Sequence, residues 1–422
     1  MYKKKKLGDL VDIGSSKRVY AQEYVDEGVP FYRSKEIIEK AQGREISNPL
    51  YISLESFEEL RNKHGAPKNG DLLLTSVGTL GIPYIVRDEE FYFKDGNLTW
   101  FNNFQNLDNM YLYYWFNSTF GKAEINKRLI GSTQKALTIT NLKEFEIYLP
   151  DNYIQKKIVN ILSSFDDKIE INNAIIANLE EQAQAIFKSW FVDFEPFLDE
   201  GFVDSEVGLI PKGFSVVRLK EVSTRRNGYS YKSKELNELS DTNMITLKNF
   251  NRNGGIDFSD TKPIDETERM KEFHYLNSGD ILIACTDLTQ NAEVLGRTIS
   301  YFENEEFDKE VYSMDLVKIE PNNIEDQMYI YYYLNSFVFK SFAEGVATGT
   351  TVLHLPKKSI DEFKMVYPSS KLVNEFSNLV KPMLLKQNKL TLENKKLEEV
   401  RDALLPKLMS GEIRVGEAVE SK

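Results

Sequence analysis

The chain has 422 residues and a formal net charge of −12. This length predicts two or three domains, and a single cysteine, Cys285, excludes disulfides within the chain and any cysteine-based zinc site. The basic start MYKKKKLGDL is not followed by an apolar run, and no stretch of 18 apolar residues occurs. The sequence therefore predicts neither a signal peptide nor a membrane span, and we expect a cytoplasmic protein.

The acidic charge is concentrated in one central stretch. Residues 151–210 carry 4 basic and 12 acidic side chains, whereas residues 1–150 carry 20 of each and residues 211–368 carry 19 and 25. Contacts to DNA phosphates need Lys and Arg, so the net charge alone favours protein partners over DNA. The flanking segments nevertheless retain enough cations for local basic surfaces.

The first 197 residues predict a mixed domain followed by a long helix. The runs DLLLTSV and GIPYIV predict strands, and YLYYWFNSTFGKAEI predicts a helix with aromatic side chains in a core. Four heptads with a regular apolar seam then indicate a coiled coil. The seam positions are Leu162, Phe165, Ile169, Asn172, Ile176, Leu179, Ala183, Ile186 and Trp190.

The second half of the sequence repeats the first, which indicates a duplicated domain. Two long segments recur at an offset of 218 residues, namely YLYYWFNS at 111–118 as YIYYYLNS at 329–336, and GSTQKALTITNLKEFEIYLP at 131–150 as GTTVLHLPKKSIDEFKMVYP at 349–368. Two others recur at shorter offsets, NGDLLLTS at 69–76 as SGDILIAC at 278–285, and KLGDL at 6–10 as RLKEV at 218–222.

The offset of 218 also predicts a second long helix near the C-terminus. Its seam comprises Val380, Met383, Gln387, Leu390, Asn394, Leu397, Arg401, Leu404 and Leu408. Asn172, Gln387 and Asn394 are polar seam residues, which would set the register of the coiled coil at a cost in stability.

The chain lacks recognisable catalytic motifs. Residues 48–51, Asn-Pro-Leu-Tyr, lack the second proline of a methyltransferase tetrapeptide, and neither a glycine-rich cofactor loop nor an ATP-binding GxxxxGK[ST] loop occurs. Pro150-Asp151 and Asp166-Asp167-Lys168 formally match a nuclease motif. Their carboxylates lie roughly 20 Å apart along a helix, too far to share one metal ion. We expect no catalytic and no metal-binding residues.

Several long segments resemble the specificity subunits of type I restriction-modification enzymes. ILSSFDDKIEINNAIIANLEEQAQAIFKSWFVDFEPF at 161–197 is similar to their central conserved region, and SEVGLIPKGF at 205–214 to the entry of their second recognition domain. RDALLPKLMSGEIRV at 401–415 resembles their C-terminus, and GSTQKALTITNL resembles a segment that closes each recognition domain. The chain departs from the family at Phe214, often Trp, and in GTTVLHL, which lacks the Gln of GSTQ.

The resemblance implies a DNA sequence-specificity subunit that is not itself an enzyme. Its partners would be double-stranded DNA, two modification subunits that bind S-adenosylmethionine, and restriction subunits, with no cofactor in this chain. The implied fold is α+β, with two similar mixed α/β target-recognition domains separated by two long antiparallel coiled-coil helices and related by a pseudo-twofold internal duplication. The predicted segments are recognition domain 1 at 1–150, the central helix at 151–197, the linker and recognition domain 2 at 198–368, and the C-terminal helix and tail at 369–422.

The length of the helices fits a bipartite, asymmetric target. Residues 154–190 span roughly 54 Å as a helix, whereas half-sites one duplex turn apart are separated by about 34–36 Å. Such helices can hold two domains over successive major grooves. Because the copies differ where they would contact bases, we expect two different half-sites.

Candidate DNA contacts are polar or basic residues that we expect on exposed loops. Arg225-Arg226 and Gln134-Lys135 are the favoured pairs. A coiled-coil scaffold that binds proteins and not DNA is the alternative function. The candidates are Ser15, Ser16, Lys17, Arg18, Arg33, Ser34, Lys35, Thr75, Ser76, Thr79, Ser132, Thr133, Gln134 and Lys135 in the first copy, and Thr224, Arg225, Arg226, Asn227, Tyr229, Lys248, Asn249, Thr286, Asp287, Thr289, Gln290, Thr350, Thr351 and His354 in the second.

Overall fold

A computed structural model describes residues 2–44, 46–128, 136–251, 255–287, 293–303, 306–350 and 352–415. Contacts divide the chain into two compact units, unit 1 with Met1–Ile169 and Lys396–Lys422, and unit 2 with Glu170–Lys395. Each unit contains one mixed domain and part of both long helices. The segment boundaries given above remain predictions.

Unit 1 combines short strands with short helices and enters the first long helix. Its strands are β1 Lys3–Lys6, β2 Asp12–Gly14, β3 Tyr24–Val25, β4 Val29–Tyr32, β5 Tyr51–Ile52, β6 Leu72–Thr75, β7 Pro83–Ile85, β8 Tyr92–Phe93, β9 Leu98–Asn102 and β10 Glu146–Leu149. Its helices are α1 Ser34–Ala41, α2 Leu54–His64, α3 Asn109–Asn117, α4 Thr119–Lys127 and α5 Ile139–Lys143, followed by the long helix α6 Asn152–Phe191. The sheets have the strand orders β2-β9-β6-β7, β3-β5-β4-β8 and β1-β10.

Unit 2 has the same kind of content. Its strands are β11 Phe202–Ser205, β12 Gly208–Pro211, β13 Ser215–Arg218, β14 Ser223–Asn227, β15 Thr242–Ile245, β16 Ile281–Ala284, β17 Thr286–Asp287, β18 Thr298–Ser300, β19 Lys309–Tyr312, β20 Leu316–Pro321, β21 Leu353–His354 and β22 Lys364–Tyr367. Its helices are α7 Leu219–Val222, α8 Gln327–Leu334, α9 Phe337–Gly345 and α10 Lys357–Asp361, and the second long helix is α11 Ser370–Ser410.

Strand pairing repeats from one unit to the other. The order β2-β9-β6-β7 returns as β14-β20-β16-β18. The antiparallel pair β1–β10 returns as β13–β22, and the parallel pair β4–β8 returns as β15–β19. The strand registers also match. For example, Leu72 faces Phe101 in unit 1, and the equivalent Ile281 faces Ile319 in unit 2. The duplication predicted from the sequence is therefore confirmed.

The two long helices run antiparallel. In unit 2, Asn172 contacts Asn394 and Glu180 contacts Gln387. Residue numbers therefore rise along one helix as they fall along the other. None of the predicted seam positions is exposed, and Leu162, Ala183 and Leu390 are fully or almost fully buried. The regular spacing of apolar residues thus correctly predicted both helices and the faces that they bury.

Each domain packs on both long helices. The core of unit 1 includes Leu162 of α6 and Leu408 of α11, together with Tyr111 and Trp115 of α3. The core of unit 2 includes Phe187 of α6 and helices α8 and α11. The tyrosines of α3 and α8 are mostly buried, which confirms their predicted packing role.

The first residues of the chain contact the last turns of α11 in unit 1. The Tyr2 hydroxyl donates to the carbonyl of Leu408 at 2.8 Å, and a Cβ on Gly411 would lie 2.7 Å from the Tyr2 ring. Tyr2 therefore fits against a glycine at the end of the helix. Within the described ranges, no helix is long and apolar enough to cross a bilayer.

Gly228 permits a close backbone approach at the end of β14. A Cβ at this position would lie 2.0 Å from the Ser313 carbonyl oxygen, closer than any side chain tolerates. We expect Gly228→Ala to destabilise unit 2 by about 1–3 kcal/mol, because the backbone must shift. Thermal unfolding measures this effect. Gly345→Ala, where a Cβ would meet open space, is the matched control, and an equal loss in both variants would refute the steric explanation.

Candidate nucleic-acid interface

In unit 1, three candidate serines converge on the turn between β8 and β9. Their hydroxyls donate to carbonyl oxygens of this turn and its flanking strands, Ser15 to Leu98 at 3.3 Å, Ser16 to Phe93 at 2.6 Å and Ser34 to Asn97 at 3.1 Å. The segment after β2 and the start of α1 are thereby held together. We call residues 15–18, 33–35 and 75–79 the first candidate surface.

The cations of the first candidate surface differ in their exposure and in how firmly they are paired. Arg18 is 62% exposed and pairs with Asp95 at 2.9 Å, while Lys17 and Lys35 are exposed. Arg33 is held more firmly, since it caps α1 together with the buried Glu36 and pairs with that carboxylate at 2.5 Å. Arg18, Lys17 and Lys35 are therefore the most accessible cations here.

Two candidates in this surface were wrongly expected on an exposed loop. Thr75 is fully buried and its hydroxyl accepts from the backbone N–H of Ile82 at 2.9 Å; Ser76 is 2% exposed and shares a hydrogen bond with Thr99 at 2.6 Å. Both lie at the end of β6, where their hydroxyls satisfy partners inside the domain. Thr79 is exposed. Ser132, Thr133, Gln134 and Lys135 lie outside the described residues.

The second candidate surface comprises residues 224–229, 248–249, 286–287, 350 and 352–354. Arg225 and Arg226 are neighbours on β14, and both form ion pairs. Arg225 pairs with both carboxylate oxygens of Asp361 at 2.8 and 3.0 Å and is only 16% exposed. Arg226 pairs with Glu320 at 2.8 Å and is 43% exposed. Thr224 and Asn227 on the same strand are exposed.

Four other candidates of this surface are buried and do not lie on exposed loops, so that expectation was wrong for them. The hydroxyl of Tyr229 donates to Glu235 at 3.1 Å, and the Asn249 amide donates to two backbone carbonyls at 2.8 and 2.9 Å. Thr286 donates to Asp315 at 3.2 Å, and Asp287 accepts from two backbone N–H groups at 2.6 and 3.1 Å. These side chains stabilise the loops through hydrogen bonds inside the domain.

Residue Ala136, just after the GSTQ segment, and the equivalent His354 of the second copy both pair with the residues that follow a central strand. In unit 2, Thr286 faces His354 across the β17–β21 pair, and in unit 1 the corresponding bridge joins Val77 to Ala136. His354, Thr350 and Lys248 are exposed, and Lys248 pairs with Asp260 at 3.0 Å. Thr289, Gln290 and Thr351 lie outside the described residues.

The acidic partners of these cations were missed in the sequence. Asp95 and Asn97 belong to the turn Lys-Asp-Gly-Asn, whose Asp-Gly pair is a recognisable turn marker. Asp361 lies 136 residues from Arg225, and no local pattern connects them.

Most of the exposed ion pairs are weak. An exposed pair contributes about 0–1 kcal/mol, so a phosphate can compete for Arg18, Arg226 or Lys248. The two-point contact of the largely buried Arg225 with Asp361 is stronger. The two candidate surfaces thus carry exposed cations in weak ion pairs, while the Arg225 guanidinium is held by its carboxylate partner.

The described part of the chain holds no group of three or more His, Cys, Asp or Glu that could bind a metal ion. Asp166, part of the formal nuclease motif, instead accepts hydrogen bonds from Arg401 at 2.6 Å and Tyr114 at 2.5 Å.

The fold and its two surfaces define a class of protein in which a duplicated domain presents two related but divergent loop surfaces from shared helices. The chain matches the family model of the type I restriction modification DNA specificity domain over residues 1–181 and again over residues 211–400. It therefore belongs to this family, the specificity subunits of type I restriction-modification systems, and the resemblance found in the sequence is confirmed.

Individual relatives agree with this assignment. The chain is 28% identical to the type I restriction enzyme MjaIX specificity subunit of Methanocaldococcus jannaschii, over 98% of this chain and 94% of the relative. It is 23% identical to the HindI specificity subunit of Haemophilus influenzae, over 67% and 72% of the two chains. The crystal structure of a type I restriction-modification S subunit from M. genitalium shares the fold, with a TM-score of 0.60 at 20% identity over 97% and 96% of the chains.

Cys285 reports on the packing beside the second candidate surface. The thiol is 2% exposed, and burial raises its pKa to about 12. Its thiolate fraction at about pH 8 should fall roughly a thousandfold below that of an ordinary thiol. We expect a disulfide reagent to label the native chain very slowly and the urea-unfolded chain rapidly, with Cys285→Ser as the blank. Fast native labelling would contradict the closed packing at β16–β17.

Proposed function

We propose that the chain reads a bipartite, asymmetric DNA target, with one half-site for each recognition domain. It would also hold two modification subunits, which bind S-adenosylmethionine, and the restriction subunits, so that methyl transfer and cleavage occur outside this chain. Family membership and the duplicated domain support this proposal.

The observation that carries the proposal is that the strand framework repeats in both copies while the side chains on it differ. Backbone registers match between the copies, and the Val77–Ala136 bridge corresponds to Thr286–His354. The side chains on this framework differ, since the register places Arg225 of β14 where the first copy has Ile13 of β2. Equal frames with unequal side chains favour two different half-sites over one palindromic target.

The family assignment also favours DNA recognition over the protein-binding scaffold. The acidic balance supports that alternative, yet exposed cations occur on both candidate surfaces. Because Lys17, Lys35 and Lys248 lie beside polar loop residues, each surface combines groups for phosphate contacts with groups for base contacts.

Exchanging one recognition domain tests the proposal. We expect that replacing residues 1–150 by the equivalent domain of another specificity subunit changes one half of the target and leaves the other unchanged. Mapping methylated bases in a host that carries the complete system measures this. A change in both halves, or in neither, would refute the assignment of one half-site to each domain.

The two neighbouring arginines should respond differently to substitution. We expect Arg226→Ala to weaken DNA binding of the assembled complex and to reduce the slope of log affinity against log salt by about one, as for a lost phosphate contact. Titration at several salt concentrations measures this. Arg225 remains a predicted DNA contact, but its pairing with Asp361 gives it a positioning role as well.

Asp361→Asn separates these two roles of Arg225. If Arg225 contacts DNA directly, releasing it from the carboxylate should maintain or raise affinity, whereas Arg225→Ala lowers it. If Arg225 only positions β14, both substitutions should weaken binding alike. Unchanged affinity and salt slope in both Arg225→Ala and Arg226→Ala would refute the contact prediction for this pair.

A further inference from the structure

The two long helices are copies of one another, yet their polar seam positions do not coincide. Asn172 of α6 corresponds to Leu390 of α11, and Asn394 of α11 corresponds to Ile176 of α6, at the offset of 218 residues. Each helix therefore carries an asparagine at a position where the other copy is apolar.

These two asparagines meet inside unit 2. The Asn172 Nδ2 donates to the Asn394 Oδ1 at 2.8 Å, and the Asn394 Nδ2 donates to the Asn173 Oδ1 at 2.8 Å. Asn172 is fully buried and Asn394 is 8% exposed. The Asn172 Oδ1, however, is buried without a hydrogen-bond partner among the described residues, which costs free energy. Stability alone does not explain a polar pair at this position.

Pairing of like helices from two copies of the chain would separate the asparagines. In the same antiparallel register, Asn172 of each copy would face Ile176 of the other, so two amides would be buried without partners. Two α11 helices would likewise place each Asn394 opposite Leu390. Burying a polar group without a hydrogen bond is unfavourable, and the symmetry of a like pair doubles the penalty.

An ion pair in unit 1 also distinguishes pairing of the unlike helices from pairing of like helices. Arg401 donates to Asp166 at 2.6 Å. The equivalent positions in the other copy are Ala183 and Leu384, both buried in unit 2. Like pairing would place Asp166 opposite Ala183 and Arg401 opposite Leu384, which leaves both charges without their partner.

We infer that these offset polar pairs select pairing between the two unlike helices of one chain and reject pairing of like helices from two copies. A buried asparagine at one seam position specifies partners in coiled coils. Here, only α6 with α11 brings Asn172 to Asn394 and Asp166 to Arg401. The duplicated chain thereby avoids association through its own repeated helix, a property separate from DNA recognition.

Co-expression of two differently tagged copies of the full chain tests this inference. One tag is purified, and the co-purifying fraction of the other is quantified by immunoblot. Asn172→Leu with Asn394→Ile makes these positions alike in both helices. We expect the co-purifying fraction to rise at least about tenfold over wild type, because like pairing no longer buries unpaired amides, while the melting temperature stays equal or rises.

Gln182→Leu is the matched control, because it adds an exposed apolar side chain to α6 without touching either pair. Co-purification no greater than in this control, also after Asp166→Leu and Arg401→Ala are added to remove the remaining ion pair, would overturn the inference. A double variant that melts below wild type, or that fails to fold, would also overturn it, since the asparagines would then serve stability. An increased co-purifying fraction in a variant that remains stably folded supports selection by the polar pairs.

Discussion

Both domains depend on apolar contacts that only the pair of long helices can complete. Leu162 and Leu408 reach the core of unit 1 from different halves of the sequence, and Phe187 and Phe376 do the same in unit 2. Neither domain buries its aromatic helix, α3 or α8, without side chains from both α6 and α11. The loops that form the candidate surfaces are therefore positioned by a frame to which both halves of the chain contribute.

The sequence predicted most of this frame because it rests on periodic patterns. The apolar seam predicted α6 and α11, and repeated segments such as YLYYWFNS and YIYYYLNS predicted equivalent helices. Periodicity is set by local geometry, so it survives in the sequence without knowledge of tertiary contacts. The burial of Thr75 and Asn249 could not be predicted, because polar side chains that bond to backbone groups of a nearby turn have no sequence pattern that distinguishes them from exposed ones.

The duplication also shows how one acidic position acquires different partners. Asp71 accepts a hydrogen bond from the Trp100 indole at 2.8 Å, while the equivalent Asp280 accepts one from Lys318 at 3.2 Å. Burial raises the pKa of Asp71, where the partner is a neutral indole. The matching strands β9 and β20 thus carry a ring in one copy and an ammonium group in the other, without any change in register. The recurrence of NGDLLLTS as SGDILIAC aligns the two aspartates but does not reveal their different hydrogen-bond donors.

The contact of Tyr2 with the end of α11 has a consequence for folding during synthesis. The Tyr2 hydroxyl and the Leu408 carbonyl are separated by 406 residues. At about 5–20 residues per second, the ribosome needs roughly 20–80 s to make the intervening chain. The domain that emerges first must therefore wait longest for its final contacts, and during that interval its apolar surface is open to chaperones and proteases.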